Sequence, residues 1–102
     1  MRVEQMINSR GNGAMNQFVI TDGARVVFQS YDSTIAEVDR ENHTITIYPD
    51  YDYSRTTGKH RNIFFGDYVG MWELATLAGL RQAMKNGLYI GRGGEGWQVI
   101  TK

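Results

Sequence analysis

No cysteine occurs in the chain, which removes disulfides, thiolate nucleophiles and cysteine-based zinc sites and fits a reducing compartment. Net charge is also lacking, because eleven basic residues offset eleven acidic ones. That balance excludes a uniformly basic duplex-DNA binder and a strongly acidic mimic of nucleic acid, and leaves local patches open. No apolar run approaches the roughly 18 residues of a membrane-spanning helix, and no basic-then-apolar leader opens the sequence. Neither membrane insertion nor secretion is expected, and the cytoplasm is the expected location. Proline occurs once, at Pro49, where it ends regular strand pairing for want of an N–H.

What is present is enough for one core. With 102 residues, of which 41% are hydrophobic, residues 1–102 are expected to fold as a single α+β domain with no room for a second core. Met1 to Ile7 is compatible with a strand, and Asn8 to Gly13 is a dense turn signal that predicts a mobile loop. Asn16 to Thr21 and Arg25 to Ser30 are rich in Val, Ile and Phe and flank Asp22-Gly23-Ala24, whose Asp-Gly pair suits the positive φ of a tight hairpin. Thr34 to Asp39 and Thr44 to Tyr48 form a second hairpin, the latter with Ile45 and Ile47 on one face. Ser54, Thr56 or Thr57 can cap a short helix from about Thr57 to Phe65, although Gly58 opposes it. Leu74, Leu77, Leu80 and Met84 recur at helical spacing before Asn86-Gly87, so the main helix is expected from about Met71 to Lys85. The expected architecture is a small antiparallel sheet, two hairpins plus C-terminal strands, packed by one long helix and one short helix.

Several motifs match a chemistry in letters only. Gly91, Gly93 and Gly96 satisfy G-x-G-x-x-G, but the six residues after them look like a strand rather than the helix a pyrophosphate site needs, so they predict a hairpin loop. His43 and His60 have no second His or Cys at metal-ligand spacing, and no cofactor is expected. Asp50 and Asp52 alternate, so in an extended segment both carboxylates would face one way as a Mg²⁺ site requires, with Arg55 or Lys59 placed to stabilise a phosphodiester transition state.

The richest run is Asp50 to Asn62. Arg55, Lys59 and Arg61, with the hydroxyls of Ser54, Thr56 and Thr57, suit phosphate oxygens, and Tyr51 and Tyr53 offer faces on which bases stack; His60, in the same run, is a further binding candidate and by residue type suits general acid or base work. On a helix, Arg55 and Lys59 would share one face while Thr57 and Arg61 form the neighbouring row. The same residues equally suit a capped, solvated helix entry. Tyr51, Tyr53, Arg55 and Trp97 are also of the types that anchor protein interfaces.

Ser9-Arg10-Gly11-Asn12, Asn16-Gln17-Phe18, Phe28 to Ser33 with Ile35-Ala36, and Asp52 to Lys59 through Arg61-Asn62 and Phe64 follow one another in this order. This pattern resembles a family of small uncharacterised proteins encoded by bacteriophages and other mobile elements. The resemblance spans Ser9 to Phe65; beyond it the chain continues through the helix and the Trp97 tail, where the shorter members end. It implies a product acting in the cytoplasm of a bacterial host by binding and inhibiting a host protein or ribonucleoprotein complex, including CRISPR-type defences. Nucleic-acid binding through Tyr51 to Asn62 is the alternative, and strand edges that would serve a homodimer are a third expectation.

Overall fold

Val, Ile, Phe and Thr in period-two alternation put most of the first half of the chain into strands. The computed structural model describes residues 1–8 and 10–102. Its strands are β1 (Arg2–Ile7), β2 (Gly13–Asp22), β3 (Arg25–Ser30), β4 (Ser33–Asp39), β5 (Thr44–Ile47), β6 (Leu88–Ile90) and β7 (Gly96–Thr101). Among the described residues they form one seven-stranded sheet in the order β1-β2-β3-β4-β5-β7-β6.

Both expected hairpins are present. The β4–β5 loop is held by Asp39, whose carboxylate accepts from the Asn42 side chain and from the backbone N–H groups of Asn42 and Glu41. Those bonds, the Asn42 side chain foremost, hold the Asp39 carboxyl below the usual carboxylate range. The turn expected from Asn8 to Gly13 contains Ser9, which lies outside the described residues; beside it the Asn8 side chain accepts from the N–H groups of Arg10 and Asn12.

Two expectations are corrected. The sheet is mixed, because β7 runs parallel to β5 with Ile45 beside Val99 and Ile47 beside Thr101. A parallel pair needs a long crossover, and here the helices and β6 supply it. The helix lengths are also redistributed, and no single long helix forms from Met71. Helix α1 (Arg55–Ile63) has nine residues, starts at Ser54, whose hydroxyl accepts from the Thr57 N–H, and runs into a five-residue π-helical turn, Phe64–Tyr68. Helix α2 (Leu77–Asn86) has ten residues and is preceded by a separate 3-10 turn, Trp72–Leu74.

Local chemistry explains the break. Thr76 caps α2 by accepting from the Gly79 N–H at 3.1 Å, which competes with a helix passing straight through. At Gly79 a Cβ would stand 2.0 Å from the Glu73 carbonyl oxygen, so only glycine lets the 3-10 turn fold back so closely onto α2.

All helical segments pack on one face of the sheet. Phe28 of β3 meets Phe64 with ring centroids 5.7 Å apart, and Phe65 sits edge-on to Phe64 at 5.3 Å. Val19, Val38, Ile45, Val99 and Tyr89 continue this buried face across the strands, closed over by Leu74, Leu80 and Ala83. No helix among the described residues is long and apolar enough to cross a membrane.

Candidate functional site

The segment from Asp50 to Asn62 does not begin extended. The Tyr51 N–H donates to the Tyr48 carbonyl at 3.1 Å and the Tyr53 N–H to the Asp50 carbonyl at 3.4 Å, so consecutive turns replace a strand. The two carboxylates consequently serve different partners. Asp50 accepts from the Ser33 hydroxyl at 2.9 Å, while Asp52 accepts from Arg61 at 3.2 Å and from Arg81 at 3.1 Å. Among the described residues no three His, Asp or Glu side chains converge as a metal set.

Arg61 is the central surprise of this region. Its side chain is only 2% exposed, and its guanidinium donates to the Tyr51 carbonyl at 2.7 Å, to Asp52 and to the Asn62 side chain at 3.2 Å. It also lies 6.0 Å from the centroid of the Tyr51 ring. A planar fork of donors suits this better than an ammonium would, because one group must satisfy a carbonyl and a carboxylate together. Arg61 therefore clamps the 49–54 turns onto α1 instead of facing a ligand. Arg81 of α2 braces the same turns from outside, and its pKa is raised first by the Tyr51 hydroxyl and then by the Asp52 charge.

The rows of α1 divide as helical spacing requires. Arg55 and Lys59 are exposed, with Tyr53 half in solvent just before the cap. Thr57, His60 and Arg61 face inward, which corrects their expected place on the surface. The Thr57 hydroxyl lies 2.9 Å from that of Ser30, and His60 Nδ1 donates to the Thr56 carbonyl at 2.8 Å, while Nε2 has no partner among the described residues. Tyr51 is half-buried. Trp97, expected as an exposed anchor, is buried and stacks on the exposed His43 with ring centroids 4.5 Å apart. A flat aromatic beside a glycine-rich hairpin is covered here because it shares the sheet face of Tyr89 and Val99, on which the helices pack.

Sequence reasoning passed over two groups. Gln17 is fully buried beside Ser30 in the β2–β3 register, and neither atom of its amide finds a partner among the described residues. Its place in the inward row with Val19 was readable from the alternation of Asn16 to Thr21. Glu73 accepts from the Tyr89 hydroxyl at 2.5 Å and from Arg92 at 3.3 Å. These bonds, the tyrosine first, hold its carboxyl below the usual range, while burial followed by the nearby carboxylate pushes the Tyr89 hydroxyl up to about 12. No local motif joins residues 73, 89 and 92.

Among the described residues no helix covers the opposite face of the sheet, on which Val3 is exposed, Ile20, Val27, Glu37 and Ile100 are half-buried and Thr46 is buried by its neighbours. One lateral row crosses it as Val3, Ile20, Val27, Glu37, Thr46 and Ile100, in direct register from β1 to β7. Phe18 extends the apolar part on β2, and Leu88 and Ile90 stand at the far edge, 48% and 54% exposed. Between the two apolar wings Arg25 bonds Glu37 across the strands, an ion pair that raises the arginine's pKa. The expected hairpin loop of Gly91 to Gly96 joins β6 to β7, closed by the Gly91 N–H to the Glu95 carbonyl at 2.8 Å.

No curated protein and no solved structure matches the chain. A family match covers β1 through β5, α1 and the π-helical turn, and stops within the 3-10 turn, so α2, β6 and β7 lie beyond it. On the strength of that match over residues 1–73, the chain belongs to a family of unknown function, DUF8033.

Proposed function

We propose that the chain is a small accessory protein that acts by holding a partner protein, and that the partner is host machinery in a bacterial cytoplasm, an anti-defence inhibitor being one form of this role. The observation that carries the reading is the sheet face without a helix over it. A solvated face of an antiparallel sheet ordinarily alternates to polar residues, yet here Val3, Phe18, Ile20 and Val27 line one wing, Val3 57% exposed and the other three half-buried. Contiguous apolar surface rimmed by polar groups marks interaction sites. The resemblance of Ser9 to Phe65 to phage-encoded proteins supports a host target.

The test is capture of a bacterial protein or ribonucleoprotein by the tagged chain, side by side with Ile20→Lys. Stoichiometric capture by the parent and its loss in the variant, with unchanged circular dichroism, is expected. Equal capture by both would remove the open face from the reading.

A second reading rests on Tyr53, Arg55 and Lys59, which stay exposed together at the start of α1. Two cations four residues apart beside a stacking face suit single-stranded nucleic acid, with binding that weakens steeply in salt. Gel shifts at low salt with Arg55→Ala and Lys59→Ala decide it, and absence of any shift with the parent chain sinks it.

A further inference from the structure

We propose that the outer edge of β6 and the groove beside it form a separate binding site for an extended peptide, which adds an eighth strand and places an apolar and a basic side chain, two residues apart, against α2. The argument begins with the two edges of the sheet. At one edge β1 carries Arg2 and Glu4, its register with β2 is interrupted between Gln5 and Ile7, and the Ile7 N–H donates to the Tyr68 hydroxyl at 3.0 Å. Charges and bulges of this kind discourage strand addition. At the other edge β6 has none of these devices, and its Leu88 and Ile90 are apolar and half exposed.

Backbone alternation sets the direction of the free groups on β6. The Val99 N–H donates to the Gly87 carbonyl at 3.0 Å and the Gly91 N–H to the Glu95 carbonyl at 2.8 Å. In an antiparallel ladder these bonds fall on every second residue. Residues 87, 89 and 91 therefore face β7, and the N–H and C=O groups of Leu88 and Ile90 point outward. Only a partner backbone in extended form meets both residues at that spacing.

A groove of about 350 Å³ runs along this edge, within the roughly 300–1,000 Å³ of small binding pockets. It is bounded by Leu88, Tyr89 and Ile90 on the strand side and by Gln82, Ala83 and Asn86 of α2 on the other. Leu88 and Ile90 project to one sheet face and Tyr89 to the opposite one, so a groove touching all three lies along the strand's edge. Leu74 and Ala83 give an apolar floor, and Glu73 supplies a carboxylate that the Tyr89 hydroxyl holds in place. Arg92, which bonds the same carboxylate at 3.3 Å, stands 74% exposed on the hairpin, so a basic side chain from the incoming strand competes with a weak surface pair for Glu73. Successive inward positions of a strand are two residues apart, which spaces the apolar and basic residues.

The probe is a capped hexapeptide, acetyl-Thr-Val-Thr-Arg-Thr-Thr-amide, titrated into isotopically labelled full chain and followed by amide shifts. Shifts at Leu88, Ile90, Gln82 and Asn86 are expected. Replacing the peptide's arginine by glutamate, or Glu73→Gln in the protein, should each weaken binding about tenfold, the equivalent of one lost charge-assisted contact. Backbone N-methylation of alternate peptide residues should abolish binding in one of the two alternations. Absence of shifts at Leu88 and Ile90, or binding that survives both methylation patterns, would overturn the site. The readout is confined to β6 and α2, so failure here leaves the open-face reading standing, and failure of capture there leaves this site standing.

Discussion

Two regions of the molecule invert what their sequences advertise. The run from Asp50 to Asn62 is crowded with cations, hydroxyls and tyrosines, and the fold turns much of it inward, with Arg61, Thr57 and His60 buried on the inner face of α1. The stretch from Leu77 to Trp97 reads as an ordinary helix and hairpin, and the fold leaves the outer side of its edge strand free beside a groove. The difference teaches that polarity in a sequence reports hydrogen-bonding capacity, and that exposure is decided by which neighbours take up that capacity.

The sharpest way to break the comparison is to remove the clamp in the first region. Arg61→Ala deletes a large buried side chain together with its bonds to Tyr51 and Asp52, and a loss of about 3–5 kcal/mol in urea unfolding is expected. A loss typical of surface sites would return Arg61 to the list of ligand-facing residues. In the second region Gly79→Ala drives a Cβ into the Glu73 carbonyl. Overpacking of this kind costs about 1–3 kcal/mol, and it should also disturb the amide shifts of the groove.

Tyr89→Phe gives a smaller effect with a pH signature. The raised Tyr89 pKa contributes stability that is complete below the unfolded value of about 10 and is lost as pH rises through about 12. The depressed Glu73 pKa contributes stability present above the ordinary carboxylate range and lost as pH falls through its lowered value. The gap between the parent chain and Tyr89→Phe should thus be widest near neutrality and narrow at both extremes. A gap independent of pH would mean that the hydroxyl and carboxylate do not act as a pair. The smallest change is expected at Arg55→Ala and Lys59→Ala, each within about 0.5 kcal/mol of the parent because both side chains stand in solvent. Larger losses would show that the outer row of α1 is structural as well.

Much of the sheet was legible because its signals are local. Asp22-Gly23 marks the first hairpin, the alternation of Thr44 to Ile47 marks β5, and Pro49 marks where pairing stops, each through the conformational limits of a few neighbouring residues. The later helix was legible as apolar periodicity and the first from its capping hydroxyls, but not in their extents. Leu74 and Leu80 both reach the core, yet the Thr76 cap and the Gly79 contact separate them into two elements. The candidate sites were least legible. Arg55 and Lys59 kept the exposure their spacing suggested, while Trp97 disappeared between neighbours that come from distant parts of the chain.

What the sequence determined by itself was the α+β composition, the two early hairpins, the hairpin form of Gly91 to Gly96 and the absence of any thiol chemistry. Each follows from dihedral preference, side-chain periodicity or residue inventory, which act over a few residues. Only the tertiary structure decided that β7 lies parallel to β5, that Arg61 is an internal clamp, that Glu73 meets Tyr89 and Arg92, and that β6 keeps a free edge. Those outcomes depend on long-range packing, in which residues far apart in sequence compete to bury apolar surface and satisfy the same polar groups.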